Sequence, residues 1–329
     1  MHFALPPRRT SNPAPYLPRS SRHRPSLLSR LLLRGLRRTR TKLVALAGLA
    51  FIALVYFLTR SGSGGDTSGG GVFGGRVPSG KPPVVLVTVL DEKRYSREYL
   101  ETVKENRRGY AERHGYETFF ARVGDYDLKG APRSWTSVVA VRHALTQFPN
   151  CRYVWFLEQN AFIMNPKTKI DEDVLQASKL DELMKKDFPV VPPDSIIKTF
   201  SHLKGQDVGL VVTQDQDGLS AGSFVVKNGE WARFFLETWW NPLYRSYNFQ
   251  KAEAHALEHI VQWHPTILAQ MAIIDQSTIN AYSKDTAGAA YKEGDLVVRL
   301  AGCAAAGKKA CETEARPFVQ KWRAAFADT

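Results

Sequence analysis

Apolar positions along the chain follow two rhythms. The run at residues 84–90 (VVLVTVL) reads as a first strand, and the continuous apolar run at 153–157 (YVWFL) leaves no polar face, the pattern of a strand covered on both sides. Between them the spacing lengthens. Tyr99, Val103 and Tyr110 share one face of a helix predicted over 96–114, and Val138, Val141, Leu145 and Phe148 mark another over 137–148. Residues 116–122, 208–215, 222–228 and 295–302 read as further strands, and 229–240 and 253–263 as helices. Strand, helix and strand in alternation predict a parallel sheet in one Rossmann-like α/β domain.

Ahead of this domain the pattern changes. Residues 43–58 (LVALAGLAFIALVYFL) are uncharged and mostly apolar, bounded by Lys42 and Arg60, and Thr41 and Thr59 can lengthen the run. The formal net charge is +13, but eleven Arg and Lys fall within residues 1–42 with no acid among them, leaving +2 for the rest. That placement argues against nucleic-acid binding and for a membrane anchor with its positive side in the cytosol. A cleaved signal peptide rarely follows so long a basic region, and a core helix is not followed by SGSGGDTSGGGVFGG. The predicted organisation is a cytosolic tail (1–42), a transmembrane signal anchor (43–59), a Gly/Ser-rich stem (60–82) and a lumenal domain (83–329). An oxidising lumen permits Cys303 and Cys311 to close a short loop and leaves Cys151 as a buried thiol.

Chemistry enters where the third strand ends. Glu158, Gln159 and Asn160 follow the apolar run directly, at the carboxyl end where open α/β sheets bind ligands. A second motif, His255-Ala-Leu-Glu258-His259, matches the H-x-x-E-H pattern of zinc proteases, with Glu258 as base; its other reading is an amphipathic helix packed through Ala256, Leu257, Ile260 and Val261. Trp231, Phe234, Phe235, Trp239 and Trp240 read either as a sugar-stacking platform or as core.

Several blocks occur in order: NRRGYAERHGY, YVWFLEQNAFIMNP, GLSAGSFVVKN, EHIVQWHPTIL and GDLVVRLAGC. Together they resemble the fungal galactosyltransferase and α-1,6-mannosyltransferase family, glycosyltransferase family 34, nearest to the α-1,6-mannosyltransferase subunits of the Golgi mannan polymerase II complex. The resemblance implies a GT-A fold, a nucleotide-sugar donor, Mn2+, retention of configuration, and a Golgi type II membrane protein. It further implies hexosyl transfer, mannose from GDP-mannose in α-1,6 or related linkage, to an N-glycan or mannan acceptor, in a hetero-oligomer with homologous subunits.

Carried over by position, the resemblance makes Glu253 catalytic and assigns donor binding to Trp135, Glu158, Gln159, Asn160, Gly218, Ser220, Gly222 and Arg299. Glu158 and Asn160 fall where the family's Asp-x-Asp motif holds the metal, and Arg299 where it has a histidine ligand. Ser137, Ser220 and Ala254 depart from the family's Lys, Asn and Gln. A neutral amide and a guanidinium are poor metal ligands, so these departures open an alternative reading, a catalytically weak subunit supporting an active homologue. Two roles were open to Arg299: diphosphate ligand in the metal's place, or partner of a carboxylate such as Glu158.

Overall fold

The computed structural model describes residues 78–285, 288–303 and 305–327. The predicted tail, anchor and most of the stem lie outside them, and among the described residues no helix is long and apolar enough to cross a membrane.

The predicted β/α alternation forms. Strand β1 (Val84–Leu90) leads to helix α1 (Arg97–His114), then β2 (Glu117–Arg122), α2 (Thr136–Gln147) and β3 (Tyr153–Leu157). The Ser96 side chain accepts from the Tyr99 amide to start α1, and Gly115, at φ 67°, ends it in the left-handed conformation. β1 pairs in parallel with both β2 and β3. Both faces of β1 and β3 are buried, which is why their sequence shows no alternation. Val85, Val87, Val154 and Phe156 face the α2 side, whereas Val84, Leu86, Tyr153 and Trp155 pack with Tyr110 of α1.

The rest of the sheet departs from the prediction. β4 (Ala161–Ile163) leaves it, β5 (Leu210–Asp215) and β6 (Gly218–Lys227) return to it, and after α3 (Glu230–Trp239) and α4 (Ala252–Trp263) comes β7 (Met271–Ile274). The order β2-β1-β3-β6-β5-β7 is mixed, not all parallel, because β6 runs against both β3 and β5. A link as short as that from Asp215 to Gly218 can only make a hairpin. Gly218 sits in it at φ 125°, where a Cβ would lie 1.8 Å from Glu258 Oε1.

A second sheet, β4-β9-β8, is built from β4, β8 (Ala281–Tyr282) and β9 (Val297–Arg299). Its register sets Arg299 opposite Ala161 on one side and Tyr282 on the other. Helix α5 (Lys308–Ala327), not foreseen in the sequence, buries Cys311, Ala315 and Trp322 with Leu90, Tyr99 and Phe162. The Cys303–Cys311 disulfide, as expected, joins it to the segment after β9, with 4.8 Å between the Cα atoms. Cys151 is a buried free thiol, also as expected. Trp231, Phe235 and Trp239 are core residues rather than a sugar platform.

Candidate active site

A cleft of about 390 Å³ opens beyond the carboxyl ends of β1 and β3. It gathers six of the predicted site residues: Glu158, Gln159, Ser220, Gly222, Glu253 and Arg299. Trp135 is buried in the core, Asn160 is only 4% exposed beneath the cleft, and Gly218 belongs to the β5–β6 turn. None of these three lines the cavity.

The centre of the cleft is an ion pair. Arg299 Nε donates to Glu158 Oε2 at 2.9 Å, while its Nη1 donates to Ser220 Oγ at 3.1 Å and to Tyr282 Oη at 3.3 Å. Gly222 makes room for this arrangement, because a Cβ there would lie 2.6 Å from Arg299 Cζ. Burial opposes the guanidinium's charge, but Glu158 outweighs it and the Arg299 pKa is raised. The carboxylate-partner reading of Arg299 is thus realised in the structure.

The residues at the metal positions do not fit a divalent cation. Glu158 Oε2 is bound to a guanidinium, and its Oε1 accepts from Asn160 Nδ2 at 3.4 Å. Asn160 keeps one buried, unpartnered oxygen, Oδ1, a single neutral ligand where hard cations need several. Among the described residues no group of three or more His, Cys, Asp or Glu is placed to hold a metal.

Glu253 reaches the cleft from the first turn of α4. Burial pushes its carboxyl up to about 7, with the Ser134 hydroxyl pulling the other way, and Oε2 is buried without a partner. Such a carboxyl exchanges a proton near neutrality.

The cleft is also lined by residues that the sequence reading did not single out, among them Asp91, Arg133, Asp215, Lys251 and Tyr282. Arg133 Nη1 donates to both carboxylate oxygens of Asp91, at 3.0 and 2.8 Å. The Asp91 amide in turn donates to Gln159 Oε1 at 2.9 Å, joining the ends of β1 and β3. Tyr282 Oη donates to Asp215, and Lys251 Nζ donates to the Asp217 carbonyl at 2.8 Å. Asp91 ends an apolar run just as Glu158 does, and the same strand-end reasoning finds it.

The zinc-protease motif has another use. Glu258 Oε1 accepts from the Leu219 amide at 2.9 Å, fastening α4 to the start of β6. His255 Nδ1 accepts from the Lys251 amide at 3.3 Å, and His259 lies among the rings of Tyr244, Phe249 and Trp263. These are packing and capping contacts of an amphipathic helix.

Residues 80–310 match the galactosyl transferase GMA12/MNN10 family. An uncharacterized alpha-1,2-galactosyltransferase of Schizosaccharomyces pombe is 32% identical, over 71% of this chain and 74% of that protein. An alpha-1,2-galactosyltransferase of the same yeast is 29% identical over 62% of this chain and 56% of its own length. The probable alpha-1,6-mannosyltransferase MNN11 of Saccharomyces cerevisiae is 28% identical over 73% and 62% respectively. The chain therefore spans less than two thirds of the length of the latter two. A crystal structure of a glycosyltransferase involved in glycosylation of the PBCV-1 major capsid superposes with a TM-score of 0.48 at 14% identity, covering 70% of this chain and 98% of that one.

Proposed function

Because the chain belongs to the galactosyl transferase GMA12/MNN10 family, a family of glycosyltransferases, we propose that its cleft takes a nucleotide-sugar donor in a GT-A-type domain and transfers the hexose to a glycan. The hexose is mannose from GDP-mannose, added in α-1,6 or related linkage to an N-glycan or mannan acceptor. Relatives named as galactosyltransferases make UDP-galactose the donor to test beside it. The setting is the Golgi lumen, behind the anchor at residues 43–59, in a complex with homologous subunits.

The observation that carries this reading is Arg299, fixed in the cleft by Glu158, at the position to which the resemblance gives a histidine ligand. Mn2+ does not suit these residues, so the charge of the leaving diphosphate is met by the guanidinium, which phosphate oxygens engage in bidentate fashion. Donor phosphates compete with Glu158 for Arg299; two other cations of the cleft wall, Arg133 and Lys251, are paired with Asp91 and Asp217. As the sugar–phosphate bond breaks, the nucleoside diphosphate leaves with the electron pair. Glu253 in its ionised form accepts the proton of the acceptor hydroxyl that bonds to the sugar.

Incubating the full-length protein with radiolabelled GDP-mannose or UDP-galactose, mannan oligosaccharide and EDTA tests this. Transfer of label from one donor is expected. Transfer from neither, in EDTA or in manganese, would reject the reading.

A further inference from the structure

The sequence block around residues 106–116 leaves an unexplained charge in the core. Arg107 is wholly buried on α1, yet its partners among the described residues include no carboxylate. A desolvated guanidinium costs several kcal/mol unless its N–H groups are satisfied, and an apolar side chain of similar size is often the more stable choice there. Here each of the three guanidinium nitrogens has an acceptor, and the acceptors are a particular set. Nη2 donates to the carbonyls of Glu158 at 3.0 Å and Ala161 at 2.7 Å, the two ends of the turn that carries Glu158, Gln159 and Asn160. Nη1 donates to Asn106 Oδ1 at 2.6 Å, and Nε to Thr88 Oγ1 at 3.3 Å. Thr88 in turn donates to the Leu157 carbonyl at 2.9 Å. Burial lowers the Arg107 pKa only to about 9, so the group remains charged at neutral pH.

We infer that Arg107 is the positioning residue of the cleft: it ties the turn after β3 to β1 and α1, fixes the direction of the Glu158 carboxylate, and thereby sets where Arg299 meets a donor diphosphate. The inference rests on the reading of the cleft as a donor site. The side chain is buried behind the cleft and does not line it. Its planar fork spans both carbonyls of the turn, a reach that a lysine ammonium, donating from one point, does not have.

The test is a double-mutant cycle read by calorimetric titration of GDP and UDP into the full-length chain, with melting temperature measured in parallel. Arg107→Lys is expected to weaken binding by the nucleotide the unmodified chain prefers by about tenfold, and the milder Thr88→Val by about threefold. In a Glu158→Ala background, where the turn no longer touches Arg299, both losses are expected to shrink below about twofold. Should Arg107→Lys fail to fold, Thr88→Val carries the cycle alone. Equal losses in both backgrounds, or lowered melting temperatures with unchanged affinity, overturn the positioning role and leave Arg107 a core brace. Failure of the unmodified chain to bind either nucleotide overturns the donor-site reading itself.

Discussion

Neutralising Glu158 separates two accounts of the cleft because they give effects of opposite sign. If Glu158 were a metal ligand, Glu158→Gln would weaken donor binding. If it is the internal partner of Arg299, the amide oxygen of Gln still accepts from Arg299 Nε and keeps the guanidinium in place, while the charge that competes with phosphate is removed. The pair is joined at 2.9 Å, with side chains 24% and 31% exposed, so it is partly solvated and worth about 1 kcal/mol, well below a dry interior pair. Relieving that competition tightens binding by about fivefold, from the 1.4 kcal/mol that corresponds to a tenfold change. Losing the pair also lowers the melting temperature by about 2–4 °C, the shift expected per kcal/mol for a domain of this size. Calorimetric titration of GDP and UDP in manganese chloride and in EDTA, with thermal unfolding of the same samples, reads both quantities. Weakening by tenfold or more on Glu158→Gln would refute the reasoning.

Arg299→Met removes the guanidinium and should weaken nucleoside diphosphate binding by about 100-fold, the scale for truncating one partner of a close charge pair; affinity within threefold of the unmodified chain contradicts this. Gly222→Ala places a Cβ 2.6 Å from Arg299 Cζ, so it should weaken binding in the same direction while the fold is kept, as circular dichroism would report. Glu253, pushed up to about 7 by burial, must be ionised to accept a proton, so kcat/KM should rise with pH through about 7 and lose that step in Glu253→Gln. Its raised pKa also means the folded state holds the extra proton: the stability is fully present below the ordinary carboxylate range and is lost as pH rises through about 7. Urea unfolding of Glu253→Gln should show this pH dependence removed. Opening the eight-residue Cys303–Cys311 separation with a Cys303→Ser, Cys311→Ser double variant should cost about 2–3 kcal/mol in the same assay; no loss contradicts the bridge's role in holding α5.

What the sequence disclosed follows from what each element needs. β1 and β3 were legible because strands buried on both faces are almost wholly apolar, Thr88 being the one exception in β1. The reversal of β6 was not, since a buried strand reads the same in either direction. The Asp217-Gly218 pair was its turn signal. β4 and β8, of three and two residues, are too short for any periodicity to register. Pro317 interrupts the helical pattern of α5, which is held by burial of Cys311, Ala315 and Trp322 instead. Within the cleft, the pairing of Glu158 with Arg299 was among the readings open beforehand, since opposite charges at two strand ends invite it. The contributions of Tyr282, Asp215 and Lys251 depend on the register of the second sheet and on how the start of α4 meets the β5–β6 turn, neither of which local sequence specifies. Arg107 was visible only as part of a motif; its work is done through backbone carbonyls more than fifty residues away, which carry no mark in the sequence.

The central claim is that a fixed guanidinium, not a divalent ion, meets the donor's diphosphate in this cleft. Titrating GDP and UDP into the unmodified full-length chain, once in EDTA and once in manganese chloride, tests it most directly. The account predicts binding of the preferred nucleotide with the same dissociation constant in both solutions. Binding that appears in manganese and vanishes in EDTA would contradict it.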